Sequence, residues 1–342
     1  MKSIFYYHCR LTSKLLFALI CTGSLASATP IGTQEVTFVI PNSDRTLVGE
    51  LYYPTEMGED SKSITQGIWQ RRDFTRNAAL APQEKPYPLV IFSHGWQGNR
   101  FGHAWLAESL VDEGYIVAAI DHTHNTSYEY SGEFIYTSMW QRPLDMSALI
   151  DYLLQHPYWS EVIDEKKIAA GGFSLGGLTA LWMTGIEGDP QAFKEAMQPY
   201  ALDDWPESVQ KRASVVDWNK AARSYDDPRV RSVFSISPDL GKGFEPEGLA
   251  KAKIPTLILV GTEDPITPPA ENAAFYAVHM KNAELITIEG AGHMDFLNTC
   301  SPNGKKMTPH LCHNFSKDRS LVHKEALENI IKFLRKIESD TK

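Results

Sequence analysis

The sequence lacks several features that would assign it to a specialised class of protein. Basic residues are not in excess, since 33 Lys and Arg stand against 42 Asp and Glu and the formal net charge is -9. No basic cluster could follow a phosphate backbone, so we expect no nucleic-acid partner. Repeats and low-complexity tracts are missing, and 43% hydrophobic residues argue against disorder, collagen and coiled coil. The 342 residues can therefore support a large globular core.

Long apolar runs are also scarce. The longest, residues 15–25, is too short to cross a membrane comfortably. It follows three basic residues and precedes Ala26-Ser27-Ala28, which is typical of a secretory signal with small residues at its cleavage site. We predict a signal peptide at 1–28, cleaved after Ala28, and a mature domain at 29–342 that is periplasmic or secreted. An uncleaved N-terminal anchor is the alternative.

Cysteine is rare, with four in the chain, and two of these precede residue 28. The other two, Cys300 and Cys312, predict one disulfide in an oxidising compartment. His310 and His313 flank Cys312, and two more histidines lie in the segment 121–124, but neither spacing matches a common zinc pattern. We predict no metal and no cofactor.

Apolar, β-branched runs alternate with helical patterns along the chain, which indicates a mostly parallel sheet flanked by helices. The first two runs are separated by a turn-forming segment and predict an antiparallel hairpin. Eight strands are predicted, at 36–40, 47–53, 89–93, 116–121, 167–171, 230–237, 256–261 and 283–289. Helices are predicted at 101–113, 144–155, 175–184, 269–280 and 319–337.

Two segments interrupt this alternation. Residues 56–88 are polar and end in a proline-rich stretch, so we predict a surface excursion with a helix of its own. Residues 187–228 contain helix formers and separate two core strands. An insertion at this point can cover a pocket at the carboxyl ends of the strands, and we predict a small helical cap.

The strongest local motif is Gly172-Phe173-Ser174-Leu175-Gly176-Gly177, between a predicted strand and a predicted helix. Glycines on both sides of a serine permit a tight strand-to-helix turn that exposes the hydroxyl. The helix N-terminus supplies N–H donors that stabilise an anion. The motif therefore predicts Ser174 as a nucleophile.

A serine nucleophile needs a histidine base held by a carboxylate. Asp264 follows the predicted strand 256–261, and His293 follows the next predicted strand along the chain. The order Ser174, Asp264, His293 is the one that this strand–serine–helix arrangement requires. Taken singly, Asp264 could cap a helix and His293 could be an ordinary loop histidine, but together they predict a catalytic triad.

The second oxyanion donor is expected in the loop after the predicted strand 89–93. The loop reads Ser93-His94-Gly95-Trp96-Gln97-Gly98, and we predict the backbone N–H of Trp96, together with that of Leu175, as the oxyanion hole. His94 is interpreted as a brace for this loop, because a base upstream of Ser174 would break the chain order.

These motifs resemble the α/β-hydrolase superfamily over nearly the whole mature chain. More narrowly, the chain is similar to the secreted predicted dienelactone hydrolases related to platelet-activating-factor acetylhydrolases. The similarity is carried by Pro88-Leu-Val-Ile-Phe-Ser-His-Gly95, Arg142-Pro-Leu-Asp145, Gly172 to Gly177, and Gly290-Ala-Gly-His-Met-Asp-Phe296 followed by Cys300. The resemblance implies ester hydrolysis by Ser174 and His293, with Trp96 and Leu175 as the oxyanion hole.

The chain departs from the family pattern at two points. The acetylhydrolases proper carry their acid after the sixth strand, where this chain has Asp239, and Asp239 is therefore kept as the alternate to Asp264. Dienelactone hydrolases proper use a cysteine nucleophile, whereas this chain has Ser174.

We therefore expect a secreted serine esterase that acts on a small-molecule or lipid ester, with no stable membrane span and an oligomeric state that the sequence leaves open. A peptidase or amidase on the same fold is one alternative. A noncatalytic binding module is the other, although such modules tend to lose a triad residue.

Overall fold

The computed structural model describes residues 28–40, 43, 45–58, 63–129, 139–197 and 216–340. The predicted signal segment before residue 28 and the central part of the predicted cap, 198–215, lie outside the described residues.

A nine-stranded sheet forms the centre of the described chain, in the order β11-β10-β9-β8-β6-β7-β2-β1-β5, and β3 and β4 form a separate hairpin. The strands are β1 (Ile31–Val39), β2 (Thr46–Pro54), β3 (Ser63–Gln66), β4 (Trp69–Arg72), β5 (Thr75–Arg76), β6 (Tyr87–Ser93), β7 (Ile116–Asp121), β8 (Ile163–Phe173), β9 (Val230–Ile236), β10 (Thr256–Gly261) and β11 (Ala283–Ile288).

The pairing is antiparallel only where β2 meets β1 and β7, and every other pair in the large sheet is parallel. All eight predicted strands are present, and the predicted hairpin is β1–β2. The sheet has one strand more than predicted, because the two-residue strand β5 pairs with the outer edge of β1. The predicted mostly parallel sheet is confirmed.

Helices cover both faces of the sheet. They are α1 (Ala104–Asp112), α2 (Gln141–Gln155), α3 (Trp159–Val162), α4 (Leu175–Trp182), α5 (Pro190–Ala196), α6 (Pro246–Leu249), α7 (Ala273–His279), α8 (Pro302–Met307), α9 (Pro309–Cys312) and α10 (Arg319–Asp340). Short 3-10 turns lie at Trp218–Ala222, Gly241–Gly243 and His293–Phe296.

The alternation of side chains along β6 shows how the sequence builds two cores. Leu89 and Ile91 pack into one apolar cluster with α2 and α4, whereas Val90 and Phe92 pack into the other with α1 and α10. Successive strand residues point to opposite faces, so a strand covered on both sides must be apolar throughout. The buried strands could be predicted for this reason, because each is a continuous apolar run in the sequence.

The helix predicted within 56–88 is wrong for the part that the structure describes. Residues 63–76 form β3, β4 and β5 instead. The turn between β3 and β4 contains Gly67 at φ +60°, a conformation that glycine adopts without steric cost and that favours a tight hairpin turn.

The predicted cap at 187–228 is described only at its two ends. The first end contains α5, whose Phe193 stacks on Trp182 at 5.5 Å between ring centroids, and the second contains the 3-10 turn that begins at Trp218. None of the described residues of this insertion lines the large cavity discussed below. Covering of the cavity by residues 198–215 stays a prediction.

Among the residues described, no helix combines the length and hydropathy that membrane crossing demands.

Candidate active site

The turn between β8 and α4 holds Ser174 in a strained conformation. Its backbone has φ 55° and ψ -121°, in a region that residues with a side chain rarely adopt. The flanking glycines are required by close approach of the backbone: a Cβ on Gly172 would lie 2.0 Å from the carbonyl oxygen of Gly176, and one on Gly176 would lie 2.0 Å from that of Ser93. The local sequence therefore produces the sharp strand-to-helix turn that the motif predicts.

Asp264 and His293 meet because β10 and β11 are parallel neighbours and each residue follows the carboxyl end of its strand. His293 Nδ1 lies 2.7 Å from Asp264 Oδ2, and both side chains are buried. This bond fixes the orientation of the ring and leaves Nε2 as the nitrogen for other partners.

The Asp264 carboxylate is also held by its own loop. Its Oδ1 accepts the backbone N–H groups of Ile266 (3.0 Å) and Thr267 (2.9 Å), and its Oδ2 accepts the Thr267 hydroxyl at 2.9 Å. Although burial opposes the charge, the hydrogen bonds from His293 and Thr267 hold the pKa of Asp264 below its ordinary value of 3.8. Asp264 is therefore ionised at neutral pH beside a histidine.

A cavity of about 560 Å³ lies beside the Ser174 turn. Ser174 and His293 both line it, and Phe173 lies between two histidine rings, 4.6 Å from His293 and 4.7 Å from His103 between centroids. Most of the other lining side chains are apolar or aromatic, among them Ile68, Trp69, Trp96, Phe101, Ile266, Met294, Leu297 and Leu311. Such a site suits an apolar ligand with few polar groups.

The alternate acid, Asp239, also lines this cavity but has a different local role. Its Oδ1 accepts the backbone N–H of Leu240 at 2.7 Å, and its carbonyl oxygen accepts the hydroxyl of Tyr276. The carboxylate that holds His293 Nδ1 is that of Asp264.

The loop that follows β6 lies against the Ser174 turn. A Cβ placed on Gly95 would lie 3.2 Å from Ser174 Cβ, because β6 and β8 are parallel neighbours. A turn closed by the Gly98 N–H to the Gly95 carbonyl at 3.1 Å carries Trp96. Leu175, the other predicted donor, is the first residue of α4, where backbone N–H groups have no partner within the helix.

His94 braces this loop, as the sequence predicts. Its Nδ1 donates to the Gly95 carbonyl at 2.6 Å, and its Nε2 accepts the backbone N–H of His122 at 3.3 Å. Burial and the nearby Arg142 hold the pKa of His94 well below its ordinary value, so the ring is neutral.

A second chain of serine, histidine and aspartate lies next to this loop, and no local pattern in the sequence predicts it. Ser93 Oγ lies 2.9 Å from His122 Nε2, and His122 Nδ1 lies 2.9 Å from Asp145 Oδ2. All three side chains are fully buried. We refer to Ser93, His122 and Asp145 as the sealed chain, and to Ser174, His293 and Asp264 as the open chain.

Arg142 joins the sealed chain to the loop. Its guanidinium is fully buried and donates to the Ser93 hydroxyl at 3.2 Å and to the carbonyl of His94. Asp145 also pairs with Arg45 at 2.8 Å. Burial nevertheless raises the pKa of Asp145 to about 7, and burial with the Arg142 charge lowers that of His122 well below its ordinary value. The network therefore holds the carboxyl end of β6 and the first residue of the loop that follows it.

The loops that carry Trp96 and His293 are also tied to each other, by Asn298. Its backbone N–H donates to the carbonyl of Gly102 at 3.1 Å, its side-chain amide donates to that of Phe101 at 2.7 Å, and its side-chain oxygen accepts the N–H of Trp105 at 2.9 Å.

Several contributors to the site were missed. Thr267 was foreseeable, since an aspartate that accepts the N–H groups two and three residues ahead is a common turn motif. The β3–β4 hairpin and His103 carry no comparable signal in the sequence. Burial lowers the pKa of His103 to about 3, which makes it a neutral part of the cavity wall. Within the described ranges, no group of three or more His, Cys, Asp or Glu side chains could hold a metal ion.

A mostly parallel sheet flanked by helices, with a serine at a sharp turn after a central strand, defines the α/β-hydrolase fold. A solved structure with this fold is the ferulic acid esterase from Streptomyces cinnamoneus, at a TM-score of 0.62 and 20% identity over 92% of each chain.

The sequence profile of the prolyl oligopeptidase family matches residues 99–308, more than half of the chain, and the chain belongs to this family. A profile of platelet-activating factor acetylhydrolase, isoform II, matches residues 63–132. The resemblance to the α/β-hydrolase superfamily and its esterase-like members is thereby confirmed. No curated protein matches the sequence.

Proposed function

We propose that the protein is a serine esterase that hydrolyses carboxylic esters through an acyl-enzyme on Ser174. The observation that carries the proposal is the open chain: His293, held at 2.7 Å by Asp264, lines the same cavity as the strained Ser174. The acetylhydrolase match supports an ester as the substrate.

The proposed reaction has two steps. His293 Nε2 accepts the hydroxyl proton as Ser174 Oγ attacks the ester carbonyl, and the N–H groups of Trp96 and Leu175 hold the oxygen that becomes negative. Collapse of this intermediate releases the alcohol, which takes the proton from His293, and leaves the acyl group on Ser174. A water molecule, deprotonated by His293, then attacks the acyl-enzyme. Collapse of this second intermediate releases the acid, and the Ser174 oxygen takes the proton back from His293.

Asp264 orients the imidazole and stabilises its cation in both steps. Because its carboxylate is ionised at neutral pH, it can do so without exchanging a proton itself.

The cavity lining supports a neutral, largely apolar ester. A buried charge without a partner is costly, and apolar side chains make up most of the wall. We further propose that the protein acts in the periplasm or outside the cell, since the Cys300–Cys312 disulfide, with an S–S distance of 2.03 Å, suits an oxidising compartment.

Peptide or amide cleavage is a second candidate, favoured by membership of the prolyl oligopeptidase family. The same open chain could protonate an amine leaving group. An extended peptide, however, brings many backbone polar groups that need partners, whereas the cavity wall is mostly apolar.

The test is covalent labelling of the folded protein with a fluorophosphonate, followed by peptide mapping. Only an activated serine reacts quickly, so label is expected on Ser174. Matched p-nitrophenyl esters and p-nitroanilides then separate esterase from amidase: ester hydrolysis is expected, with no anilide cleavage above that of Ser174→Ala. An unlabelled Ser174 would refute the proposed mechanism, and faster anilide cleavage would favour the peptidase.

A further inference from the structure

The turn of the β3–β4 hairpin forms part of the cavity wall. Four consecutive residues, from Gln66 to Trp69, line the cavity, and Ile68 and Trp69 contribute apolar side chains. The base of the hairpin is fixed to α1 by Arg71, whose Nε donates to Glu108 at 2.9 Å. The turn itself is held by another part of the chain.

That part is the segment 299–304. Trp69 and Cys300 form an antiparallel bridge, the N–H of Ser301 donates to the carbonyl of Ile68 at 2.9 Å, and the N–H of Gln70 donates to that of Thr299 at 2.8 Å. These bonds join main chain to main chain, so they fix the position of the turn directly.

Gly304 makes the approach possible. A Cβ at this position would lie 2.2 Å from the carbonyl oxygen of Ile68, closer than atoms can approach. The first turn of α8, which contains Gly304, therefore packs against the hairpin without any side chain between them.

The disulfide closes the same segment on itself. Cys300 contacts the hairpin, and Cys312 directly follows Leu311, which lines the cavity. The buried side chain of Arg319 also holds this segment, since it donates to the carbonyls of Asn298 and Leu311, at 2.8 and 2.7 Å. The Cys300–Cys312 bond thus connects the segment that holds the hairpin turn to the residue next to Leu311.

We propose that residues 66–69 and Leu311, which line the cavity, form one cross-linked wall with residues 299–304 and Cys312, which hold them in place. This wall determines which esters the enzyme prefers, because its cavity-lining side chains contact the part of the ester beyond its carbonyl group. The proposal rests on the esterase function proposed above and assigns the hairpin and the disulfide to substrate selection. The preferred substrates are esters with an apolar group much larger than methyl on the acyl or alcohol side.

The main test compares Cys300→Ala/Cys312→Ala with Lys306→Ala, an exposed change in the same loop. Hydrolysis of methyl acetate, methyl octanoate and octyl acetate is followed at constant pH, well below the unfolding temperature of each variant. For at least one long ester, kcat/KM relative to methyl acetate is expected to fall about tenfold in the double variant, through KM. Lys306→Ala should keep the ratio of the unmodified protein.

Ile68→Ala provides a second variant that leaves the disulfide intact and shortens one side chain of the wall. Ile68→Ala should also lower kcat/KM for the same long ester relative to methyl acetate. Unchanged ratios in both the double variant and Ile68→Ala would overturn the proposal.

A binding measurement separates this proposal from the esterase function. In the Ser174→Ala background, quenching of tryptophan fluorescence by the favoured long ester should show weaker binding, by about tenfold, when the two cysteines are replaced. If fluorophosphonate leaves Ser174 of the unmodified protein unlabelled, the catalytic proposal fails. The binding difference would still decide whether the wall selects its ligand.

Discussion

The open and sealed chains contain the same three residue types, and each has a histidine hydrogen-bonded to an aspartate, but their surroundings differ. The histidine-to-carboxylate distance is 2.7 Å in the open chain and 2.9 Å in the sealed one. Ser174 and His293 of the open chain line a cavity, whereas the sealed chain is fully buried beside the charge of Arg142.

A serine that is hydrogen-bonded to a histidine–aspartate pair is not a nucleophile by that geometry alone. Burial and Arg142 oppose a proton on His122, which makes this ring a poor general base, and no substrate can reach a fully buried Ser93. Ser174 combines access with a strained turn and a helix N-terminus. The same three residue types thus support a loop in the sealed chain and, as proposed, carry out the reaction in the open chain.

The largest expected effect separates the two serines. Ser174→Ala should lower ester kcat by at least a thousandfold, because the proposed nucleophile is removed. Ser93→Ala should lower it less than about tenfold, since Ser93 only supports the loop. Steady-state rates on methyl acetate, with fluorophosphonate labelling of both variants, provide the measurement.

Retained labelling in Ser174→Ala, or a thousandfold loss in a folded Ser93→Ala, would reverse the assignment of the two chains. Circular dichroism and thermal unfolding serve as folding controls.

A smaller effect, on stability, is expected at Arg142. Arg142→Met removes a buried charge that faces Asp145 and a donor to the carbonyl of His94, so the free energy of unfolding should fall by about 3–5 kcal/mol. Arg231→Met, at an exposed position on β9, is the matched control and should change it by less than about 0.5 kcal/mol. Urea unfolding at pH 7 measures both, and similar small losses in the two variants would show that the sealed network is not needed for stability.

The smallest expected effect is a difference in pH dependence between Asp264 and Asp145. The pKa of Asp264 is lowered, so its contribution to stability is present above about pH 4 and is lost as the pH falls through its value in the folded protein. The pKa of Asp145 is raised to about 7, so its contribution is complete below about pH 4 and is lost as the pH rises towards 7.

Unfolding free energies of Asp264→Asn between pH 3 and 5, and of Asp145→Asn between pH 4 and 8, test this contrast. Relative to the unmodified protein, Asp264→Asn should become less stable as the pH rises, and Asp145→Asn should become more stable. Slopes of the same sign would contradict the assigned pKa directions.

The sequence predicted those parts of the molecule whose signals are local. The eight main strands are apolar runs, and the order Ser174, Asp264, His293 follows from residues that each come just after a strand. The sheet then brings Asp264 and His293 together, because β10 and β11 are neighbours.

The rest depends on contacts between distant segments. The short strands β3 and β4 lack an apolar pattern, and the turn between them is positioned by main-chain bonds to 299–301, far along the chain. Arg142 and Asp145 could not be recognised as buried, since charged residues normally face solvent and their partners lie elsewhere in the sequence.

The three bonds of Asn298 have a practical consequence for protein engineering. They join the loop that carries Trp96 to the loop that carries His293, so the two cannot be redesigned independently. If one loop were replaced by the corresponding loop of a related protein, its side chains would be suited to a different neighbouring loop. Grafting should therefore move residues 95–105 and 293–300 together, as a single module.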